Sequence, residues 1–289
     1  MGGRVIASIK EIESLEGDVE PFLNQVGNVF KVFDLQDSGC ISYGVECDGQ
    51  RLLVKHARRG GTNAFGQDVV AALRRAIAFH RAVKHECIPA LINHFETKDG
   101  PVLVYEWVDG AVLSSPEFPD RRTNPESLYY RFQQLAPAKK LAVLDALYDA
   151  HKTIFDAGYI AVDLYFGCIM YDFDGERVHF CDFDEYRPGP FTLEEDRLPG
   201  SRSLMAPEEF VKGSLIDQTT NVFTLGKIAL VMLCGEEREV CWTAKRDRAC
   251  WQGPPSLYDV IHRATEEDRA LRYPSFGAFF DAWNEAGRG

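Results

Sequence analysis

The chain has 289 residues, 45% of them apolar and 26% charged, a balance ordinary for a folded protein and a length that allows two compact bodies. Its net charge of −12 repels nucleic acid and anionic lipid, so neither is an expected partner. No apolar run approaches the roughly 18 residues of a membrane span and the N-terminus carries no apolar leader, so no membrane partner is expected and the expected setting is cytoplasmic.

Gly2 invites a myristoylation reading, but Ile6 stands where that motif takes Ser or Thr. The 8 cysteines form no C-x-x-C pair, which disfavours zinc, and their apolar contexts suggest free thiols in a reducing compartment.

The first twenty residues carry no strong pattern. From residue 29 the texture is that of strands. Residues 29–33 (VFKVF), 40–46 (CISYGVE) and 51–55 (RLLVK) alternate, and Asp37-Ser38-Gly39 and Cys47-Asp48-Gly49 supply the corners of an antiparallel meander. A glycine-rich loop at Arg59-Gly60-Gly61-Thr62 precedes a helical stretch from Gln67 to Lys84. Residues 88–95 and 102–105 predict two more strands, which gives a small lobe of five strands and one helix. Residues 109–137 look like loop. Helical spacing then dominates 139–157, short strands follow at 160–162, 168–171 and 178–181, and helices run from 215 onward. Strands first and helices after predict an α+β fold.

Three residues stand out on this frame. Lys55 closes an apolar strand, where the plain reading is charge meeting water at a strand end. Asp163 lies between apolar residues in a loop after a long helix, and a charge there needs a reason to be near a core. Asp182 follows the strand 178–181 directly. Further on come Met205-Ala206-Pro207-Glu208-Glu209, then Asn221-Val222-Phe223-Thr224-Leu225-Gly226, then Arg272-Tyr273-Pro274.

Taken in order, these segments resemble the protein kinase family, in its divergent bacterial serine/threonine branch. The resemblance spans residues 29–283. It implies a bilobal kinase-like fold, with an N-lobe at 1–108 made of a small antiparallel sheet and one helix, and a helical C-lobe at 109–289. It implies an ATP- and Mg-dependent phosphotransferase acting on Ser or Thr hydroxyls of a protein. Lys55 would contact the α and β phosphates, Asp163 would orient the acceptor hydroxyl, and Asp182 would hold magnesium. Ser38 and Gly39 would offer N–H groups to phosphate. The Glu106 and Val108 backbone would face the base, with Tyr105 behind it. The resemblance also implies a buried Glu208–Arg272 ion pair, and Thr192, Ser201 and Ser203 as first candidates for autophosphorylation.

The sequence departs from the family in several places. No acidic residue lies between Asp68 and Glu86, where a partner for Lys55 belongs. Ala161 and Val162 replace the catalytic-loop His and Arg. Cys168 replaces a metal-binding Asn, and Asp184 replaces a Gly. Asp184, and less so Asp172, is the expected substitute metal ligand. Two other readings stay open: a pseudokinase that binds nucleotide as a regulatory module, and a kinase for a small cationic metabolite or antibiotic, served by the acidic set Asp163, Asp172, Asp182, Asp184 and Glu185.

Overall fold

The computed structural model describes residues 8–35, 38–58, 62, 68–234 and 248–287. The expectations at Gly2, Asp37, residues 59–61 and Gln67, and one of the cysteines, Cys241, lie outside these. The fold is α+β, with seven α-helices among the described residues, and the chain divides into two compact units, Met1–Asp109 and Gly110–Gly289.

The first unit is built on a six-stranded sheet in the order β1 (Ser14–Leu15), β5 (Leu91–Thr97), β6 (Gly100–Glu106), β4 (Gln50–Ala57), β3 (Cys40–Cys47), β2 (Asn28–Phe33). Its corners follow from turn chemistry. Asp48 (φ 51°) and Gly49 (φ 71°) take the left-handed pair of a type I′ turn, which matches strand twist and locks the β3–β4 register. Residues 88–90 stay outside β5, so that strand starts three residues later than expected.

The expected all-antiparallel sheet with one helix is corrected in two ways. β1 pairs parallel with β5, which makes the sheet mixed. A second helix, α1 (Val19–Val26), precedes β2. Its signal is in the sequence: Asp18 sits at the N-cap position, and Val19, Phe22 and Leu23 fall at i, i+3 and i+4 and are buried. Eight residues are too few to be stable alone, so the helix exists because that face packs with Ile9 on Tyr43, Val45, Leu52, Val54, Phe95, Val102 and Val104. The opposite face of the sheet carries α2 (Val69–Ala82), capped by the Asp68 carboxylate accepting from the Ala71 N–H at 3.1 Å, and packed through Val69, Leu73, Ala76 and Ile77 on Cys40, Ala57, Leu103 and Tyr105.

In the second unit β7 (Ala111–Val112) pairs with β9 (Ile169–Asp172), and α3 (Leu128–Gln133) lies within the stretch expected as loop. The long helix α4 (Pro137–Asp156) leads into β8 (Tyr159–Ile160), shorter than the expected 160–162. β9 and β10 (Arg177–Phe180) form a hairpin whose turn is tied by Asp172, which accepts from the N–H groups of Asp174 and Gly175 and from Arg177. β11 (Arg187–Pro188) pairs with β8, and β12 (Phe191–Thr192) with β13 (Leu215–Ile216).

Helix α5 (Gln218–Cys234) is buried almost all round, as its continuous apolar content requires. Helices α6 (Pro255–Ala264) and α7 (Phe276–Gly287) complete the unit. Tyr148 of α4 packs edge-on against Phe279 and Trp283 of α7, and the Trp283 indole donates to Asp145 at 2.7 Å. Trp283 is buried, while Trp107 and Trp251 are only half-buried. No helix among the described residues is long and apolar enough to cross a membrane.

Candidate functional site

In the first unit, strand register sets which side chains share a face. Lys55 pairs across with Ser42 and Leu103, and Leu53 pairs with Gly44 and Tyr105, so five side chains point to the α2 side and Gly44 leaves a gap among them. Lys55 is buried to 9% exposure. The sequence of α2 contains no Asp or Glu, so this helix brings no carboxylate to the face. His80 of α2 packs edge-on to Tyr105, and burial holds its imidazole neutral, with the charges of Lys84 and Lys55 adding to the effect and a pKa of about 3.

Ser38 and Gly39 directly precede β3. The Ser38 hydroxyl accepts from the Cys40 N–H at 3.4 Å, and the left-handed Gly39 (φ 71°) gives its carbonyl to the Arg58 N–H at 2.8 Å. At the other end of the face, Glu106 closes on Ala90 twice: its N–H donates to the Ala90 carbonyl and its carboxylate accepts from the Ala90 N–H. The Trp107 N–H donates to the Arg51 carbonyl. The backbone N–H and carbonyl of Val108 take no partner among the described residues.

In the second unit, the loop after β8 carries Asp163. Two devices hold it. Asn221 of α5 grips the Ala161 backbone, accepting from its N–H at 2.9 Å and donating to its carbonyl at 2.8 Å. Cys168 donates its thiol proton to the Asp163 carbonyl at 3.3 Å. Between them Asp163 takes a left-handed φ of 61°, a conformation that costs most side chains energy and that Asp tolerates better than most. Its carboxylate accepts no hydrogen bond among the described residues.

Asp182, two residues beyond β10, is left-handed as well (φ 67°), and Asp184 is buried. The acids act on one another. Burial, then the charges of Asp182 and Glu185, push the Asp163 carboxyl up to about 7; Arg197 opposes the shift and Asp184 adds to it. Burial and the charges of Asp182 and Asp163 also push the Cys168 thiol well up, so it stays neutral and is a weak ligand for a hard cation. Asp172, the lesser candidate, is committed to its own hairpin turn.

Among the described residues no three His, Cys, Asp or Glu side chains converge into a metal cage. Magnesium usually takes only one or two protein carboxylates together with waters and phosphate oxygens. The donors here are hard carboxylate oxygens, and the charges of Asp182, Glu185 and Asp184 act together on Asp163, a donor chemistry that fits a divalent cation of that kind.

The expected Glu208–Arg272 pair is present. Arg272 is fully buried and meets Glu208 through two parallel bonds of 2.7 and 3.0 Å, while Arg269 adds a third contact at 3.2 Å. Sequence reasoning gave no role to the adjacent Glu209. Its carboxylate accepts from the Ala206 N–H at 2.6 Å, and burial pushes its pKa up to about 8. It also missed the depth of the Asn221 clamp, whose only sequence signal is an amide amid the apolar residues of a buried helix.

A scan against protein-family models finds no match for the chain, and a search of curated proteins finds no matching relative.

Proposed function

We propose that this chain is a phosphotransferase of protein-kinase type that transfers the γ-phosphoryl group of ATP to a serine or threonine hydroxyl of a protein. The observation that carries the reading is the Asp163 loop. A carboxylate that accepts no hydrogen bond among the described residues is held in left-handed backbone among three other acids, and its pKa of about 7 suits a group that takes a proton near neutral pH.

In this reading Asp163 orients the acceptor hydroxyl and accepts its proton as the new bond from the acceptor oxygen to the γ-phosphorus forms and the bond from that phosphorus to the β–γ bridging oxygen breaks, releasing ADP. Asp182 and Asp184 are the oxygen ligands that would hold magnesium, whose charge would offset that of the phosphates. Lys55 contacts the α and β phosphates as a point charge, and the N–H groups of Ser38 and Gly39 approach the same phosphates. The Glu106 carbonyl and the Val108 N–H and carbonyl meet the edge of the base. The order of motifs from Lys55 to Arg272, closed by the Glu208–Arg272 pair, supports a kinase-like fold for this chemistry.

The test is mass spectrometry of the protein after incubation with ATP and magnesium, alongside nucleotide binding by thermal shift. Phosphate should appear first at Thr192, Ser201 or Ser203. Asp163→Ala should keep nucleotide binding and lose phosphate incorporation, while Lys55→Ala and Asp182→Ala should weaken binding itself. Incorporation undiminished in Asp163→Ala would sink the assignment. The neutral thiol at Cys168 favours a second reading, a nucleotide-binding module without turnover, and binding with no incorporation under any condition would decide for it.

A further inference from the structure

The face of the sheet that carries Lys55 has a second feature. β2 does not alternate cleanly: Val29 pairs with Val45, but Lys31 pairs with Gly44, so a bulge leaves Phe30 as the extra residue. The added residue re-aims the strand. Lys31 and Phe33, whose partners are Gly44 and Ser42, point to the Lys55 side, and the Phe30 ring lies there too. The Lys31 ammonium sits 4.8 Å from the centre of the Phe33 ring.

Gly44 explains what the bulge accomplishes. A Cβ at Gly44 would come within 2.7 Å of the Phe30 ring and 2.9 Å of the Trp107 ring. Glycine inside a strand is unfavourable and often marks close approach by a ring or a ligand. Here two rings use that space, meeting edge to face at 4.9 Å and 72°. They differ in how they are held. The Trp107 indole N–H donates to Asp109 at 3.3 Å, Arg51 lies 5.8 Å over its ring, and Arg51 pairs with Asp109 at 2.9 Å. Phe30 is 39% exposed, belongs to neither core cluster of the sheet and hangs from an unpaired bulge position.

We propose that Phe30 is a displaceable ring that closes the place on Gly44 and Trp107 until the flat base of a nucleotide takes it. Trp107 is the fixed wall and Phe30 the movable one. The cations Lys31 and Arg51 at the rim favour a planar heteroaromatic ligand with an anionic tail. This rests on the phosphotransferase reading and adds that the protein competes with its own nucleotide. An edge-to-face pair of about 0.5–1.5 kcal/mol corresponds to a two- to tenfold penalty on binding.

The experiment titrates the full chain with magnesium-ATP and with magnesium tripolyphosphate, which lacks a base, reading Trp emission and thermal shift. ATP should change the emission of the wild type saturably, and Trp107→Phe should abolish that change. Phe30→Ala should bind ATP about two- to tenfold more tightly and tripolyphosphate no differently; Phe30→Leu, which keeps apolar bulk at the bulge, should show a smaller gain. An ATP affinity that is unchanged or weaker in both Phe30 variants, with the wild type binding ATP normally, overturns the displaced ring alone. No ATP binding by any of these proteins overturns the phosphotransferase reading and this inference together.

Discussion

At the scale of single residues, the half-buried Asp163 and the buried Lys140 have opposite pH signatures. Asp163 keeps its proton to about pH 7 in the folded chain, whereas an unfolded aspartate loses it near 4. Between those values the folded state binds more protons, so stability falls as pH rises through the window. Asp163→Asn carries no charge to bury and suits left-handed backbone. It should therefore exceed the wild type by on the order of 2–4 kcal/mol above pH 7 in chemical denaturation, with the gap closing below about pH 4.

Lys140 is 1% exposed, and among the described residues its ammonium reaches only the side-chain oxygens of Gln133 and Gln252, at 3.5 and 3.3 Å. Burial pushes its pKa down. The unfolded chain then holds this proton at higher pH than the folded one, so this contribution to stability rises with pH towards the ordinary lysine value of 10.5. Lys140→Met keeps the shape and removes the buried charge; urea midpoints should show a gain of about 1–3 kcal/mol.

At the scale of elements, α5 does more than fill a core. Asn221, 2% exposed, supplies both bonds to the Ala161 backbone. Asn221→Ala leaves a buried N–H and a buried carbonyl without partners, at a cost of about 2–4 kcal/mol in thermal or urea unfolding. If phosphate transfer occurs, kcat should drop more than the KM for ATP changes, because the loop carrying Asp163 loosens.

The segment containing Glu208 is fastened in another way. Against the upward push of burial, the hydrogen bonds and charge of Arg272 hold Glu208 below its ordinary value of 4.5. That stabilisation is present above the ordinary range and is lost as pH falls through the depressed pKa. Arg272→Ala should cost about 3–5 kcal/mol at pH 7 and much less in strong acid, read from unfolding curves at the two pH values.

The hairpins were legible because Asp48-Gly49 names its own turn. The bulge at Phe30 was not, since VFKVF reads as plain alternation and only pairing with β3 shows that one residue is extra.

At the scale of the whole molecule, the net charge of −12 acts on encounter rather than on folding. On the proposed phosphotransferase reading, a basic peptide acceptor should be steered in and an acidic one held off. Raising ionic strength from about 0.02 to 0.2 M shortens the screening length roughly threefold, so kcat/KM for the basic peptide should fall while that for an acidic one rises. Equal salt dependence for the two peptides would remove surface charge from the account of acceptor choice.

Local chemistry along the chain determined the α+β order of elements, the β3–β4 corner and the long helix α4, while the pairing of Glu208 with Arg272 was expected only from the resemblance to a family. Turn residues, apolar periodicity and motif order are properties of neighbouring residues, so they survive being read in one dimension. Other features were decided only by tertiary structure. α1 is too short to stand without the sheet beneath it, and β1 becomes a strand only by pairing with β5. The Asp163 carboxyl is pushed to about 7 by burial and by acids that lie 19–22 residues away along the chain. Desolvation and charge act through distance in space, and that distance is set by folding.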